Sequence, residues 1–451
     1  MNDLAAHAAR ADTAGSGASA PDVRRMLDEG PMSRLQIGAV AVCVALNMLD
    51  GFDVLVVAFT ASAISAEWSL SGAELGVLLS AGLFGMAGGS LFVAPWADRF
   101  GRRAIILLCL ALMTAGMLLS AVAQSMPQLA VLRVATGLGI GGMLASIGVI
   151  TAEYSSSRWR STNVSLQTTG YPVGATVGGA IAAVLIAQFG WRAAFLFGGI
   201  VSALMIPLVL RRLPESLDFL LARRPPDALE RVNGLLRRMG RSELAQLPAR
   251  TAAETPAAGN PVRGLFAESF RRSTLLIWSA FFLLMFSFYF IMSWTPRLLV
   301  TAGLSAEQGI TGGVLLNLGG IFGGALFAWL ASRAGLRRLT CVFLGVTALG
   351  TALFGFVATE LAVAFTIALA IGVFLFGSMA GLYSLAPIIY AAGVRTTGMG
   401  WAIGIGRFGA ILSPMIAGLL VDAGWSTPYL YCAFAVPLVA AMAVTRALRV
   451  G

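Results

Sequence analysis

The chain has 451 residues, of which 58% are hydrophobic and 12% charged, and its mean hydropathy is +0.83. So long and apolar a sequence does not describe a soluble globular protein. Its net charge of +10 comes from arginine alone, with no lysine, and its placement marks membrane orientation rather than nucleic-acid binding.

Residues 1–33 are polar and rich in small side chains, so a disordered tail is expected there. No signal peptide is expected, because the first apolar run is too long and lacks a cleavage-like end. Twelve apolar runs then follow, each of bilayer-spanning length: 36–60, 74–97, 104–123, 128–152, 162–187, 192–211, 274–296, 309–331, 339–358, 361–391, 397–420 and 427–446. They are continuously apolar rather than alternating, which excludes a membrane β-barrel. The expectation is an all-α polytopic membrane protein, with a six-helix bundle at 34–211, a basic central loop at 212–272 and a second six-helix bundle at 273–451.

The arginines alternate with the spans. Arg10, Arg24, Arg25 and Arg34 precede the first, and Arg99, Arg102 and Arg103 follow the second. Arg158 and Arg160 follow the fourth, Arg333, Arg337 and Arg338 the eighth, and Arg395 the tenth. Arg446 and Arg449 close the chain, whereas the opposite side borders only Arg192 and Arg297. This pattern places both termini in the cytoplasm. The four cysteines lie in apolar segments without disulfide or metal-ligand spacing, and the one histidine, His7, is in the tail. No metal or cofactor is expected.

The first span contains "LNMLDGFDVLVVAF", 46–59, in which Asp50 and Asp53 share one helix face. Rise arithmetic puts both in the outer half of that span and Arg133, in the fourth, at a similar depth. A static ion pair with Arg133 would account for one aspartate. The second is left over, and two adjacent carboxylates suit reversible protonation.

After the second span comes "APWADRFGRR", 94–103, and after the eighth "AWLASRAGLRR", 328–338. Each sets an arginine, a glycine and an arginine pair in a tight turn, and the two copies imply an internal duplication around a central path. Glycine runs at 137–142, 170–179, 319–324 and 404–409 suit close helix packing, and Pro172 is placed to kink its helix.

Arg407 falls near the middle of the eleventh span, and the second-half spans contain no carboxylate. It pairs with an aspartate of the first half or with a cluster of backbone groups, or it receives an anionic substrate through its two-pronged guanidinium. Aromatic side chains crowd the second half: Phe282 and Tyr289 in "WSAFFLLMFSFYFIMSW", 278–294, then Tyr383, Tyr390 and Trp401. With Arg407 they suit a flat ring bearing a carboxylate, and Asn47, Gln167 and Asn317 are candidate polar contacts. No nucleotide-binding loop is present, and no nucleophile with its base is evident, so neither an ATP-driven pump nor an enzyme is expected.

"DRFGRR" (98–103), its weaker copy at 332–338 and "RVATGLGIGG" (133–142) resemble the major facilitator superfamily, as do "GYPVGATVGG" (170–179) and "PES" (214–216). "DGFD" (50–53), "LAPIIYAAGVRTTGMGWAIGIGRFGA" (385–410) and Glu153 are similar to its aromatic acid:proton symporters. The resemblance implies import of benzoate-like or hydroxybenzoate-like anions with protons across a bacterial inner membrane; alternating access by a monomer is the expectation. It assigns proton coupling to Asp50 and Asp53, and gating to Asp98, Arg99, Arg102, Glu153 and Arg333. From the residues themselves, the candidate substrate contacts are Arg407, Arg133, Asn47, Gln167, Phe282, Tyr289, Asn317, Tyr383 and Trp401. Ala94, Trp96 and Ser332 depart from the family motif. Alternatives are a carrier of non-aromatic acids or other metabolites, a drug:proton efflux carrier, and a non-transporting sensor or scaffold.

Overall fold

The computed structural model describes residues 20–28, 30–248, 265–266, 268–357, 360–390 and 392–448. These residues build helices and connecting turns, with no strand among them. Among the described residues, twelve helices are long and apolar enough to cross a membrane. The first six are α1 Arg34–Trp68, α2 Gly72–Phe100, α3 Arg102–Ser120, α4 Met126–Glu153, α5 Arg160–Phe189 and α6 Trp191–Arg212. The second six are α7 Phe270–Thr301, α8 Ala306–Ala334, α9 Leu336–Val357, α10 Leu361–Ile389, α11 Thr397–Asp422 and α12 Thr427–Ala447. Several outrun their apolar runs, because the helix continues past the hydrocarbon until a cap ends it. Ser33 with Gln36, Ser71 with Glu74, and Ser305 with Gln308 form capping boxes at the starts of α1, α2 and α8.

The duplication is visible in the packing. In the first half α1 packs on α5, α2 on α4, and α3 on α4 and α6. The second half repeats this with α7 on α11, α8 on α10, and α9 on α10 and α12. The two repeated turns agree: Gly101 and Gly335 both adopt positive φ, at 101° and 77°, where a side chain would be strained.

One expectation at the N-terminus fails in part. Ala20–Asp28 is a helix with Val23 and Leu27 buried. Its composition is polar, but those two side chains are one turn apart and supply an apolar stripe that docks. Asp28 also accepts from the Arg160 guanidinium at the start of α5. Residues 1–19 and 29 lie outside the described residues, as do 249–264 of the central loop. The described part of that loop carries two helices, Leu217–Arg223 and Ala228–Arg238.

The halves meet along α2–α11, α5–α8 and α1–α7. At the end of the bundle remote from the arginine clusters, the Asp422 carboxylate closing α11 accepts from the backbone N–H groups of Gly72 and Ala73, at 2.6 and 2.7 Å. About two helical turns further in from α2's capping box, Ser80 donates to the Ile411 carbonyl at 2.8 Å. These bonds join the two halves at the end remote from the arginine clusters.

Candidate functional site

Asp50 and Asp53 sit at the middle of α1, not in its outer half, because α1 runs on to Trp68. They are 1% and 3% exposed, and none of their four carboxylate oxygens has a hydrogen-bond partner among the described residues. An ionised carboxylate so placed would cost several kcal/mol, so these groups need a proton or a transient partner. Between them, Gly51 lets α5 approach until the Tyr171 carbonyl fills the space a Cβ would take. That contact fixes Tyr171 beside the acids.

The static Arg133 ion pair is not formed. Arg133 is 2% exposed, and its Nη2 donates to Ser120 Oγ at 2.7 Å, Thr136 Oγ1 at 3.0 Å and the Gly116 carbonyl at 3.3 Å. Nη1 reaches Met117 Sδ at 3.2 Å, the guanidinium lies 4.9 Å from the centre of the Phe195 ring, and Nε has no partner. The charge rests in neutral dipoles of α3 and α4 and on a ring face rather than on a carboxylate. Asp53 and Arg133 nonetheless line one small cavity of about 20 Å³, enough for a single water. Its far wall is Tyr289 and Ser293 of α7, so Asp53 faces the seam between the halves.

Arg407 of α11 is half-buried and lies within electrostatic reach of Tyr171, Tyr289 and Tyr383. Its pairing with Asp50 or Asp53 is not among the described ion pairs. Tyr171 also lies within electrostatic reach of Asp50, so it senses both the acids and the guanidinium. The sequence signalled Tyr171 only as part of "GYPVGATVGG", where the glycines and proline drew the attention.

Other candidates are committed elsewhere. Asn47 Nδ2 donates to the Gln167 carbonyl at 2.6 Å and to the Thr168 carbonyl at 3.4 Å, clamping α1 to α5. Gln167 joins that clamp through its backbone. Asn317 Nδ2 donates to the Gly313 carbonyl of its own helix at 2.9 Å, while its buried Oδ1 has no partner. Phe282 stacks on Phe286, which stacks on Phe434 of α12, so it begins a packing column. Trp401 is exposed and stacks on Trp278 at 5.6 Å, more than a helical turn from Arg407 towards the arginine-rich end.

The expected gating residues divide in two. Arg102 forms an ion pair with Glu153, which is 3% exposed, and donates to Ser216 Oγ at 2.6 Å. The Glu215 carboxylate accepts from the Arg103 N–H at 3.1 Å, and the Tyr154 hydroxyl donates to the Glu215 carbonyl at 2.6 Å. Burial holds the Tyr154 hydroxyl well above its ordinary range, so it remains a donor. Together these bonds tie the starts of α3 and the segment after α6 to the end of α4. Asp98 stays 78% exposed with Arg102 at 4.0 Å, Arg99 lies over Phe100, and Arg333 lies over Trp329 at 4.3 Å. These three make no described bond to the opposite half.

Residues 40–402 match the family described as the Major Facilitator Superfamily. The chain is 32% identical over 420 residues to a gallate transporter of Pseudomonas putida, covering 93% of each. It is 31% identical over 424 residues to the 4-hydroxybenzoate transporter PcaK of Pseudomonas aeruginosa, covering 94% of each. Among solved structures it is similar to the inward-open xylose transporter XylE from E. coli, with TM-score 0.71 at 16% identity, covering 92% of this chain and 96% of that one.

Proposed function

The chain belongs to the Major Facilitator Superfamily, and from that premise we propose that it imports a small aromatic carboxylate together with protons by alternating access. The observation that carries this reading is the position of Asp53: buried, without a hydrogen-bond partner, and facing a cavity whose far wall belongs to the other half. A carboxylate there has no structural task in this state, and its proton state bears on how the halves close. The gallate and 4-hydroxybenzoate carriers among the relatives support an aromatic acid as cargo.

In the cycle, Asp50 and Asp53 take protons while the site faces outwards, and the substrate carboxylate docks on Arg407. Tyr171, Tyr289 and Tyr383 lie within electrostatic reach of that guanidinium and offer rings and hydroxyls to a hydroxylated substrate ring. Neutral acids lower the cost of sealing the cavity. On this reading both termini are cytoplasmic in a bacterial inner membrane, the end latched by Asp422 is the outer one, and the cycle passes through an inward-facing state with that latch closed. An inside-negative potential assists import by ~2.3 kcal/mol per net positive charge per 100 mV. The protein acts as a monomer, since each chain holds both halves of the path.

The test is uptake by proteoliposomes under an imposed pH gradient, with gallate, 4-hydroxybenzoate, benzoate, a short aliphatic acid and a cationic dye as probes. Accumulation of the aromatic acids that disappears with the gradient supports the proposal. Expulsion of the dye, or gradient-independent uptake, refutes it.

A further inference from the structure

Among the described residues Arg133 is the one buried cation beside the acid pair, yet its bonds point away from it. Three groups hold Nη2: the Ser120 hydroxyl, the Thr136 hydroxyl and the Gly116 carbonyl. Ser120 and Thr136 are themselves 0% and 1% exposed, and each also donates within its own helix, to Gly116 and to Leu132. Each hydroxyl proton is therefore spent on a backbone carbonyl, which leaves an oxygen lone pair facing the guanidinium. The seat is built for a cation, and it holds the cation off Asp53. The partnerless Nε of Arg133 and the partnerless carboxylate of Asp53 share the neighbourhood of a cavity with room for one water. A guanidinium released from the seat has an anionic partner close by.

We propose that Ser120 and Thr136 are positioning residues for the proton step: they seat Arg133 away from Asp53 and thereby set the pH at which Asp53 loads its proton. This rests on the reading of Asp53 as the proton acceptor. The titratable groups around Asp53 are Asp50 on its own helix, Arg133 on α4 and Tyr289 on α7. The α2 wall of the cavity is apolar, and α6 presents Gly198, where a Cβ would stand 3.3 Å from Asp53 Oδ1. On the Asp50 side stand Cys109 of α3 and Tyr171 of α5. Arg133 is thus the one cation among them, and its seating is the variable on which loading turns. With a seat hydroxyl removed, Arg133 turns to Asp53 and favours the ionised carboxylate, so loading needs a more acidic medium.

Ser120→Ala and Thr136→Val remove one seat hydroxyl each, and Thr136→Ser keeps it. Uptake of 4-hydroxybenzoate is read against external pH at a constant gradient. The half-maximal pH should fall by at least about 0.5 unit in the first two variants, a roughly threefold change in occupancy, and stay at the wild-type value in Thr136→Ser. A second reading needs no transport: the pH dependence of labelling of Asp53 by dicyclohexylcarbodiimide, which attacks protonated carboxyls, in detergent-purified protein with Asp53→Asn as blank. Its midpoint should fall by the same amount. Unshifted midpoints in Ser120→Ala and Thr136→Val, or no labelling of wild-type Asp53 at any pH, overturn the proposal. If wild type carries none of the acids, the transport reading fails by itself and the labelling still decides this one.

Discussion

The carboxylate of Asp422, the last residue of α11, caps the first turn of α2 by accepting from the Gly72 N–H at 2.6 Å, 350 residues earlier in the chain. With the Ala73 N–H at 2.7 Å it forms a two-point latch between the halves. An anion at a helix start is favoured by the free N–H groups and by the helix dipole, worth about 0.5–2 kcal/mol. The latch must break whenever that end opens. Asp422→Ala should therefore raise the population open at that end about two- to thirtyfold. Maleimide labelling of Ser80→Cys, a position 3% exposed on the α2–α11 seam, reads this directly. Equal labelling rates with and without Asp422 would show that the latch carries no weight.

Asp53→Asn mimics a permanently protonated acid. It should insert and fold normally yet fail to accumulate substrate against a gradient, while substrate exchange across the membrane persists. Asp50→Asn serves as the comparison, and the member of the pair whose loss uncouples transport is the one that cycles its proton. Normal gradient-driven accumulation by both single variants would remove the acid pair from the mechanism.

Arg407→Ala should weaken binding of a carboxylate substrate at least tenfold, because a charge-assisted pair of hydrogen bonds contributes about 1.5–3 kcal/mol. Arg407→Lys keeps the charge but loses the fork, so an intermediate affinity is expected. Titration of purified protein with 4-hydroxybenzoate gives both values. Wild-type affinity in Arg407→Ala would move the anion site elsewhere.

Gly51→Ala places a methyl group where the Tyr171 carbonyl already sits. The backbone of α5 must then retreat, at a cost of about 1–3 kcal/mol. The expected result is a lower melting temperature in detergent and displaced acids, seen as lost uptake even where protein survives. Gly38→Ala, where nothing stands within 4 Å of the new Cβ, is the control and should be silent.

Arg102→Ala leaves the Glu153 carboxylate buried without its cation, a loss of about 3–5 kcal/mol. Pairing it with Glu153→Gln should recover a large part of that stability. Thermal unfolding of the two single variants and the double variant measures the coupling. Simple additivity would mean that the pair does not hold the ends of α3 and α4 together.

The sequence by itself determined the twelve spans, their duplication and the side on which arginine gathers. Hydropathy summed along one helix and the cost of moving arginine through lipid are local, additive quantities, readable without neighbours. It also singled out Asp50, Asp53, Arg133 and Arg407, since an ionisable side chain in a span is expensive wherever it points. Only the tertiary structure decided what each of them meets. Depth alone paired Arg133 with Asp53, but the rotation of α4 and the hydroxyls of α3 turned its guanidinium to Ser120. The hydrogen bond of Asn47 to α5 and the column from Phe282 to Phe434 likewise follow from which helices meet. Tyr171 and Asp422 acquired roles because α1 met α5 and α2 met α11, contacts between surfaces far apart in the chain. Helix rotation and partner choice depend on how all twelve helices pack at once, and no window along a single helix contains that information.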